Sequence, residues 1–275
     1  NKKRSCIMIE SLDIKTILLG SATLLGTTAI KKAENPARAI DDLMTLIGFE
    51  KLHEIAENRR NKYITNRNDF IQKLAKEIQD VVSKNIENLQ EPSLSIAGPA
   101  LEASKFYLEE EELRNLFTKL IASSMDKSKN EFNHPSFIEI IKQFDKIDAQ
   151  NFKIISDLYF KKGFVATGTY YTTIIGQDKP LEHIASHVFV DNLEQNDIAI
   201  QSSSLTNLER LGLIQINYKA HVDEKEYYNI LNNSFITKKN SELKEQNKRV
   251  LTNLGMITLT LFGVRFSKTC LPDVS

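Results

Sequence analysis

The sequence has no tryptophan and only two cysteines, Cys6 and Cys270, in 275 residues. Two thiols near opposite ends are too few for a disulfide framework and fit a reducing compartment. Glycine (10) and proline (6) are sparse, while lysine, asparagine and isoleucine are frequent, a composition that favours helices. Net charge is lacking as well, since Lys plus Arg and Asp plus Glu stand at 36 each. No global field therefore draws the chain onto nucleic acid or an acidic membrane, and a nucleic-acid role would need a local basic patch. No phosphate loop of the form GxxxxGK(S/T), no GxGxxG, no GxSxG, no HExxH and no paired CxxC occurs. The expectation is a protein that is not an enzyme, with no catalytic residues, no cofactor and no metal site.

A long hydrophobic run is missing too. The apolar stretch at residues 16–30, TILLGSATLLGTTAI, falls short of the roughly 18–20 residues that cross a bilayer. Lys15 precedes it and Lys31-Lys32 follow. A signal peptide fits poorly, because a single Lys separates Met8 from the run and Asp13 interrupts it. Three readings stay open: a buried or self-associating helix, a membrane-surface or short inserting segment carried by Ile17, Leu18, Leu19, Leu24 and Leu25, or a cleaved signal. The residues before Met8 read as a cloning remnant or upstream readthrough. Cytoplasmic localisation is expected, with membrane association through residues 16–30 as the alternative.

What is present is an ordinary globular balance, 41% hydrophobic and 26% charged, at a length that suits two domains or one large one. Ile40, Leu43, Met44 and Ile47 recur at i, i+3, i+4, i+7 and predict an amphipathic helix after Pro36. A long polar helix is expected over residues 51–88, with Phe70, Leu74, Ile78 and Val81 inward and a break near the basic stretch 58–68. Gly98-Pro99 is expected to turn the chain into a helix running to about Met125, with Leu113, Phe117, Leu120 and Ile121 on one face. Ser136 and Glu139 have the spacing of a capping box, ahead of Phe137, Ile140, Ile141 and Phe144. Asp148 is expected to cap the next helix, which Gly163 ends. After Gly163, residues 164–175 read as extended, 202–211 as a short helix, 213–218 and 256–261 as strands, and Thr260 as the cap of a last helix. The fold class is therefore mainly α (α+β): an N-terminal helical region (1–90), a helical core (91–147) and a winged-helix-like C-terminal α/β unit (148–275).

Each cluster of reactive residue types has a plainer reading. Glu109 to Glu112 point about 100° apart on a helix and cannot converge on one ion, and Glu110 is spaced i, i+4 for a surface pair with Arg114. His134 has no ligand partners at metal spacing, and His183 with His187 would share a helix face without completing a site. Ser202, Ser203 and Ser204 read as helix caps. Ser203, Asn207 and Arg210 form the candidate nucleic-acid or partner surface of the 202–211 helix, but only one of them is basic. Asp223, Glu224 and Glu226 in the expected wing count against DNA.

The stretch 92–145 resembles the core of the Abi-alpha (abortive infection alpha) family, a domain of unknown function. It carries the family's P-x-L-x-I-A-G-P-A-L-E-A run, then E-E-E-L-R, then L-I-A-S-S-M-D where the family has L-L-A-S-S-M-D, then H-P-S-F-x-E-I-I-K-Q, in that order. The resemblance extends through residues 207–214 and through 257–260 with Gly263. Leu261 stands where the family commonly has proline after the threonine. The resemblance implies a bacterial protein of phage defence by abortive infection, with no known catalytic residues. The reading that follows is a non-enzymatic defence factor acting through protein or membrane contacts, with a protein partner or self-association expected. The alternative is a winged-helix nucleic-acid-binding regulator, with nucleic acid not favoured as a partner.

Overall fold

The computed structural model describes residues 57–189, 197–220 and 222–272. The apolar stretch 16–30, including Ile17, Leu18, Leu19, Leu24 and Leu25, and the predicted helix over 37–47 lie outside the described residues. The chain forms two compact units, which meet in sequence between Lys142 and Gln143.

The first unit is helical. Helix α1 (Glu57–Lys84) runs without the break expected at residues 58–68. Phe70, Ile71, Leu74 and Ile78 form its buried stripe, the i, i+4, i+8 spacing of one helix face. Two helices, α2 (Leu94–Ser104) and α3 (Glu111–Ser124), replace the single helix expected up to Met125. Phe106, Tyr107 and Glu110 make tight i→i−3 backbone bonds between them, and Leu108 drops into the core. No glycine or proline marks that bend. A usable signal was the pair Glu111 and Glu112, acidic residues placed in the first turn of α3, where the helix dipole favours them. Gly98 and Pro99 lie inside α2 rather than in a turn before it, because α2 starts at Ser93, whose carbonyl takes the N–H groups of Ile96 and Ala97.

Helix α4 (Ser136–Ile141) is short and does not carry the expected Ser136–Glu139 capping box. Ser136 already sits inside the helix, and its N–H is taken by His134 Nδ1 at 3.1 Å, with the Ser136 hydroxyl 2.6 Å from the same nitrogen. Glu139 bonds Lys142 instead. The buried faces of α2 (Ile96, Ala97, Ala100, Leu101), α3 (Leu113, Phe117, Leu120, Ile121) and α4 (Phe137, Ile140, Ile141) complete the core of this unit.

The second unit is α+β. Asp145, not Asp148, caps helix α5 (Lys146–Lys162); Asp148 stands three residues on and closes a capping box with Asp145. Gly163 ends α5 in the left-handed conformation, as glycine can without strain. Phe144, expected on the face of α4, packs here against Phe152 and Phe266. Strands β1 (Val165–Ile174), β2 (His183–Val188), β3 (Ile214–Asn217) and β4 (Lys248–Leu259) form an antiparallel sheet in the order β2-β1-β4-β3. β1 and β4 pair over ten residues each, from Val165 opposite Ile257 to Ile174 opposite Lys248. Helix α6 (Ile198–Arg210) precedes β3 and packs on α5 and β2. Asp197 caps it, so the three serines fall inside the helix rather than at its start.

The connection from β3 to β4 is helical. A 3-10 turn (Glu224–Tyr227), a short α7 (Tyr228–Leu231) and α8 (Ser234–Leu243) fold over the sheet. Tyr227, Ile230, Ile236 and Leu243 share a core with Tyr170, Ala185, Val188 and Val250. Tyr170 is fully buried, donates its hydroxyl to Ile230 O at 2.6 Å and accepts from Asn233 Nδ2 at 2.8 Å. Burial pushes its phenol up to about 12.

The last helix, α9 (Leu261–Cys270), is capped by Thr260, whose Oγ1 takes the Gly263 N–H and donates to Gly212 O. A Cβ on Gly263 would lie 1.9 Å from Leu213 O. The backbones of α9 and the start of β3 therefore touch, and only glycine fits. Leu261 is 87% exposed at the first helical position, where a backbone N–H has no partner inside the helix and proline costs nothing. Gly263→Ala is expected to destabilise by about 3 kcal/mol or more through this clash. Leu261→Pro is expected to stabilise by about 0.4–1 kcal/mol by restricting the unfolded chain. Thermal melts of the two variants beside the parent protein check both signs.

Candidate functional site

Four polar residues of the 92–145 motifs, Ser104, Arg114, Ser124 and Asp126, are buried. Arg114 is buried on α3, donates to Leu108 O and lies 3.0 Å from the Asp69 carboxylate through Nε. This is an ionic contact whose N–H is not aligned as a hydrogen bond. The i, i+4 pairing of Glu110 with Arg114 is not formed, because Arg114 reaches to α1 and to the bend instead. Ser104 and Ser124 donate to the carbonyls of Leu101 and Ile121. Asp126 caps the 3-10 turn Lys127–Lys129 through the N–H and hydroxyl of Ser128. His134 caps α4. Asp126 and His134 each have a structural task, and among the described residues no three His, Cys, Asp or Glu side chains make a group that could hold a metal ion.

Most apolar residues of the same stretch are buried, but a few are turned outward. Leu94 at the start of α2 and Phe106 in the bend after it are each 74% exposed, and Pro99 between them is exposed too. Glu91, Glu102, Glu109 and Glu110 surround this face and are exposed. Glu102 is paired with Lys105 and Glu109 with Lys62. Periodicity could not reveal this face, because the run LSIAGPAL reads as apolar on every side.

The α6 candidates divide. Ser203 is exposed. Asn207 donates to Asp148 Oδ2 at 2.8 Å and to Gln143 O at 3.1 Å, so it ties α6 to the start of α5. Arg210 donates to Asn207 Oδ1 at 2.7 Å and to Gln143 Oε1 at 3.0 Å. The fork of this guanidinium, the one basic group of the three, is spent within the second unit. Deeper along the same helix pair, Asn151 donates to Ser204, while both amide atoms of the buried Gln201 have no partner among the described residues. Burial raises the Asp148 carboxyl against the lowering pull of its hydrogen bonds.

His183 and His187 lie on strand β2, not on a shared helix face. His183 is exposed and meets Ser186 Oγ through Nε2 at 2.8 Å. His187 has a left-handed backbone (φ 53°), a strained choice for histidine, at the irregular stretch of the β1–β2 ladder. Its N–H donates to Tyr218 Oη at 3.2 Å and its Nδ1 lies 3.1 Å from the same oxygen. The Tyr218 ring occupies the space a side chain at Gly255 would need, 2.6 Å from that Cβ position. Burial lowers the pKa of His187, with Glu209 pulling the other way. A shallow cavity of about 100 Å³ beside β1 holds two charged residues, Lys162 and Glu226, which neutralise each other at 2.6 Å.

The motif residues of the two units, one helical and one α+β, thus serve caps, bends and buried bonds, and α2 carries an exposed apolar face. The chain belongs to the abortive infection alpha family, whose family model matches residues 66–270. No curated protein matches the chain. No solved structure matches it.

Because His134, not the Ser136 side chain, accepts the N–H at the start of α4, His134 is the residue whose loss should weaken that cap more. His134→Ala should cost about 0.5–1 kcal/mol and Ser136→Ala less, measured by thermal melting. His187 has a folded pKa below its unfolded value near 6.5. Its contribution to stability is then fully present above that value and is lost as pH falls through the folded pKa. His187→Asn keeps a residue that tolerates the left-handed backbone and removes the titration. The difference in melting temperature between parent and variant should therefore shrink from pH 8 to pH 5.

Proposed function

We propose that the protein is a non-enzymatic phage-defence factor of the abortive-infection type, acting inside the cell through protein contacts made by the α2 face. Family membership supports the defence role. The inversion within the motif region supports the contact role. Arg114, Ser104, Ser124 and Asp126 are spent on internal bonds, while Leu94, Pro99 and Phe106 face solvent. Apolar side chains held outward on a rigid element are the usual anchors of a protein interface. No helix among the described residues is long and apolar enough to cross a membrane.

The order α5, α6, β3, β4 favours a second reading, a winged-helix nucleic-acid-binding regulator. Against it stand the engaged Asn207 and Arg210 and the helical connection where a wing would be. A salt-dependent shift of a DNA probe by the full chain would favour this second reading.

The contact reading is tested by Leu94→Asp and Phe106→Asp in plaque assays with several phages, beside melts of the purified variants. Both sites are exposed, so stability should stay within about 0.5 kcal/mol of the parent. Protection should be lost. Full protection by both variants would refute the reading.

A further inference from the structure

We propose that the α2 face docks a cationic amphipathic helix of a partner protein, its apolar stripe on Leu94, Pro99 and Phe106 and its lysines or arginines on the carboxylates at the two ends. This rests on the reading of that face as a contact surface and names the chemistry of its partner.

The face has a definite shape. Leu94, Ser95, Gly98, Pro99 and Glu102 fall within an arc of about 140° on α2, and Phe106 continues the line. Leu94 and Phe106 bracket it about 18 Å apart at helical rise, which a partner helix of about twelve residues spans. Between them the surface is low. A Cβ on Gly98 would meet nothing within 4 Å, so packing inside the unit does not call for glycine there. Pro99 beside it is exposed and has no N–H, so the carbonyl of the exposed Ser95 lacks its i+4 donor within the helix. Glycine and proline both weaken a helix. Here they leave a shallow saddle on its solvent side, with a large apolar side chain at each end. A second helix crossing at Gly98 can approach closely, its own apolar side chains held between Leu94 and Phe106.

Charge selects the occupant. Four exposed carboxylates surround the saddle: Glu91 at the Leu94 end, Glu102 on the flank, and Glu109 and Glu110 at the Phe106 end. Two cations answer them, Lys105 on Glu102 at 2.8 Å and Lys62 on Glu109 at 3.3 Å. Glu91 and Glu110, one at each end, have no side-chain partner among the described residues. The rim is therefore negative, although the chain as a whole is neutral. Acceptors dominate it, since the carboxylates are joined by the Ser95 carbonyl. A partner that supplies cationic donors at both ends of an apolar stripe matches this pattern, and the charges at the two ends fix its register.

The same rim disfavours other occupants. Two copies meeting face to face through a two-fold axis would set Glu91 of one against Glu110 of the other. An anionic bilayer would be repelled.

The test uses the full chain and two fluorescent synthetic peptides of about 16 residues, each with leucine along one helical face. One carries lysine at both ends, the other glutamate. Fluorescence anisotropy should show the lysine peptide binding at least about tenfold more tightly than the glutamate peptide. Leu94→Ala and Phe106→Ala, which leave the rim charge unchanged, should each weaken the lysine peptide at least about tenfold. Leu261→Ala, at an exposed leucine of the second unit, should change nothing. Glu91→Lys with Glu110→Lys should weaken the lysine peptide by up to about fivefold per ion pair and strengthen the glutamate peptide. The same double variant should melt with the parent and lose phage protection in the plaque assay. No binding, equal binding of the two peptides, or binding indifferent to Leu94→Ala and Phe106→Ala would each overturn the proposal. So would full protection by the charge-reversed variant, a dimer in light scattering that Leu94→Ala dissolves, or flotation with phosphatidylglycerol vesicles that Leu94→Ala abolishes. The plaque assay of Leu94→Asp and Phe106→Asp separates the two readings. Loss of protection without lysine-peptide binding sinks the cationic helix alone, and peptide binding with full protection sinks the contact role in defence alone.

Discussion

Arg114 is a buried cation that serves three elements of the first unit at once. From α3 it donates to Leu108 O in the bend after α2 and contacts Asp69 on α1. A guanidinium can do this because its donors are rigidly forked and it stays charged when desolvated. The bond to Leu108 O satisfies a carbonyl that the turn leaves without a helical partner, and it holds Leu108 in the core. With Leu108 inward, Phe106 two residues earlier is thrown outward, and the exposed end of the α2 face follows from that. Lys73 and Lys119 on the same packing seam add pairs to Asp69, Glu111 and Glu77, so α1 and α3 are joined by charge at their rims and by Phe70, Leu74, Phe117 and Leu120 between.

The second unit depends on a backbone contact rather than a charge. Gly263 brings α9 against Leu213 O, and Thr260 binds Gly212 O from the same turn. Two stretches that resemble the family, 207–214 and 257–263, are therefore the two sides of one junction. Around it, Phe266 packs with Phe144 and Phe152, so the last helix closes on the first helix of the unit. On the far side of α5, Asp148, Asn207 and Gln143 form a polar ladder that uses up the α6 groups a nucleic-acid reader would need outside. The long β1 and β4 strands then accept the helical cover of α7 and α8, where Gly168 lets Ile230 approach and Tyr170 fixes the cover by its hydroxyl.

Both units point to the same division of labour. The motif residues that look reactive in a string of letters are acceptors and donors for caps and bends: Asp126 for Ser128, His134 for Ser136, Asp148 for Asp145. On the α2 face the large side chains left facing water are apolar at Leu94, Pro99 and Phe106, with exposed carboxylates around them.

Much of the architecture was legible from the chain itself. The four-residue stepping of Phe70, Leu74 and Ile78 and the richness in Val, Thr and Tyr after Gly163 placed α1 and β1, because periodicity and β-propensity are local properties. Gly163 as a stop and Thr260 as a cap were also local, and both hold. The α2–α3 bend was not legible, since it is made by a tertiary bond from Arg114 and carries no turn residue. Cap positions slipped by one turn at Asp145 and Asp197 because several residues of the right chemistry stood near each helix start, and only backbone geometry chooses among them. The outward face of α2 was invisible for a different reason. A run that is apolar on all sides states that it will be buried without saying by what, and only the packed unit shows which side its own core covers and which side it leaves exposed.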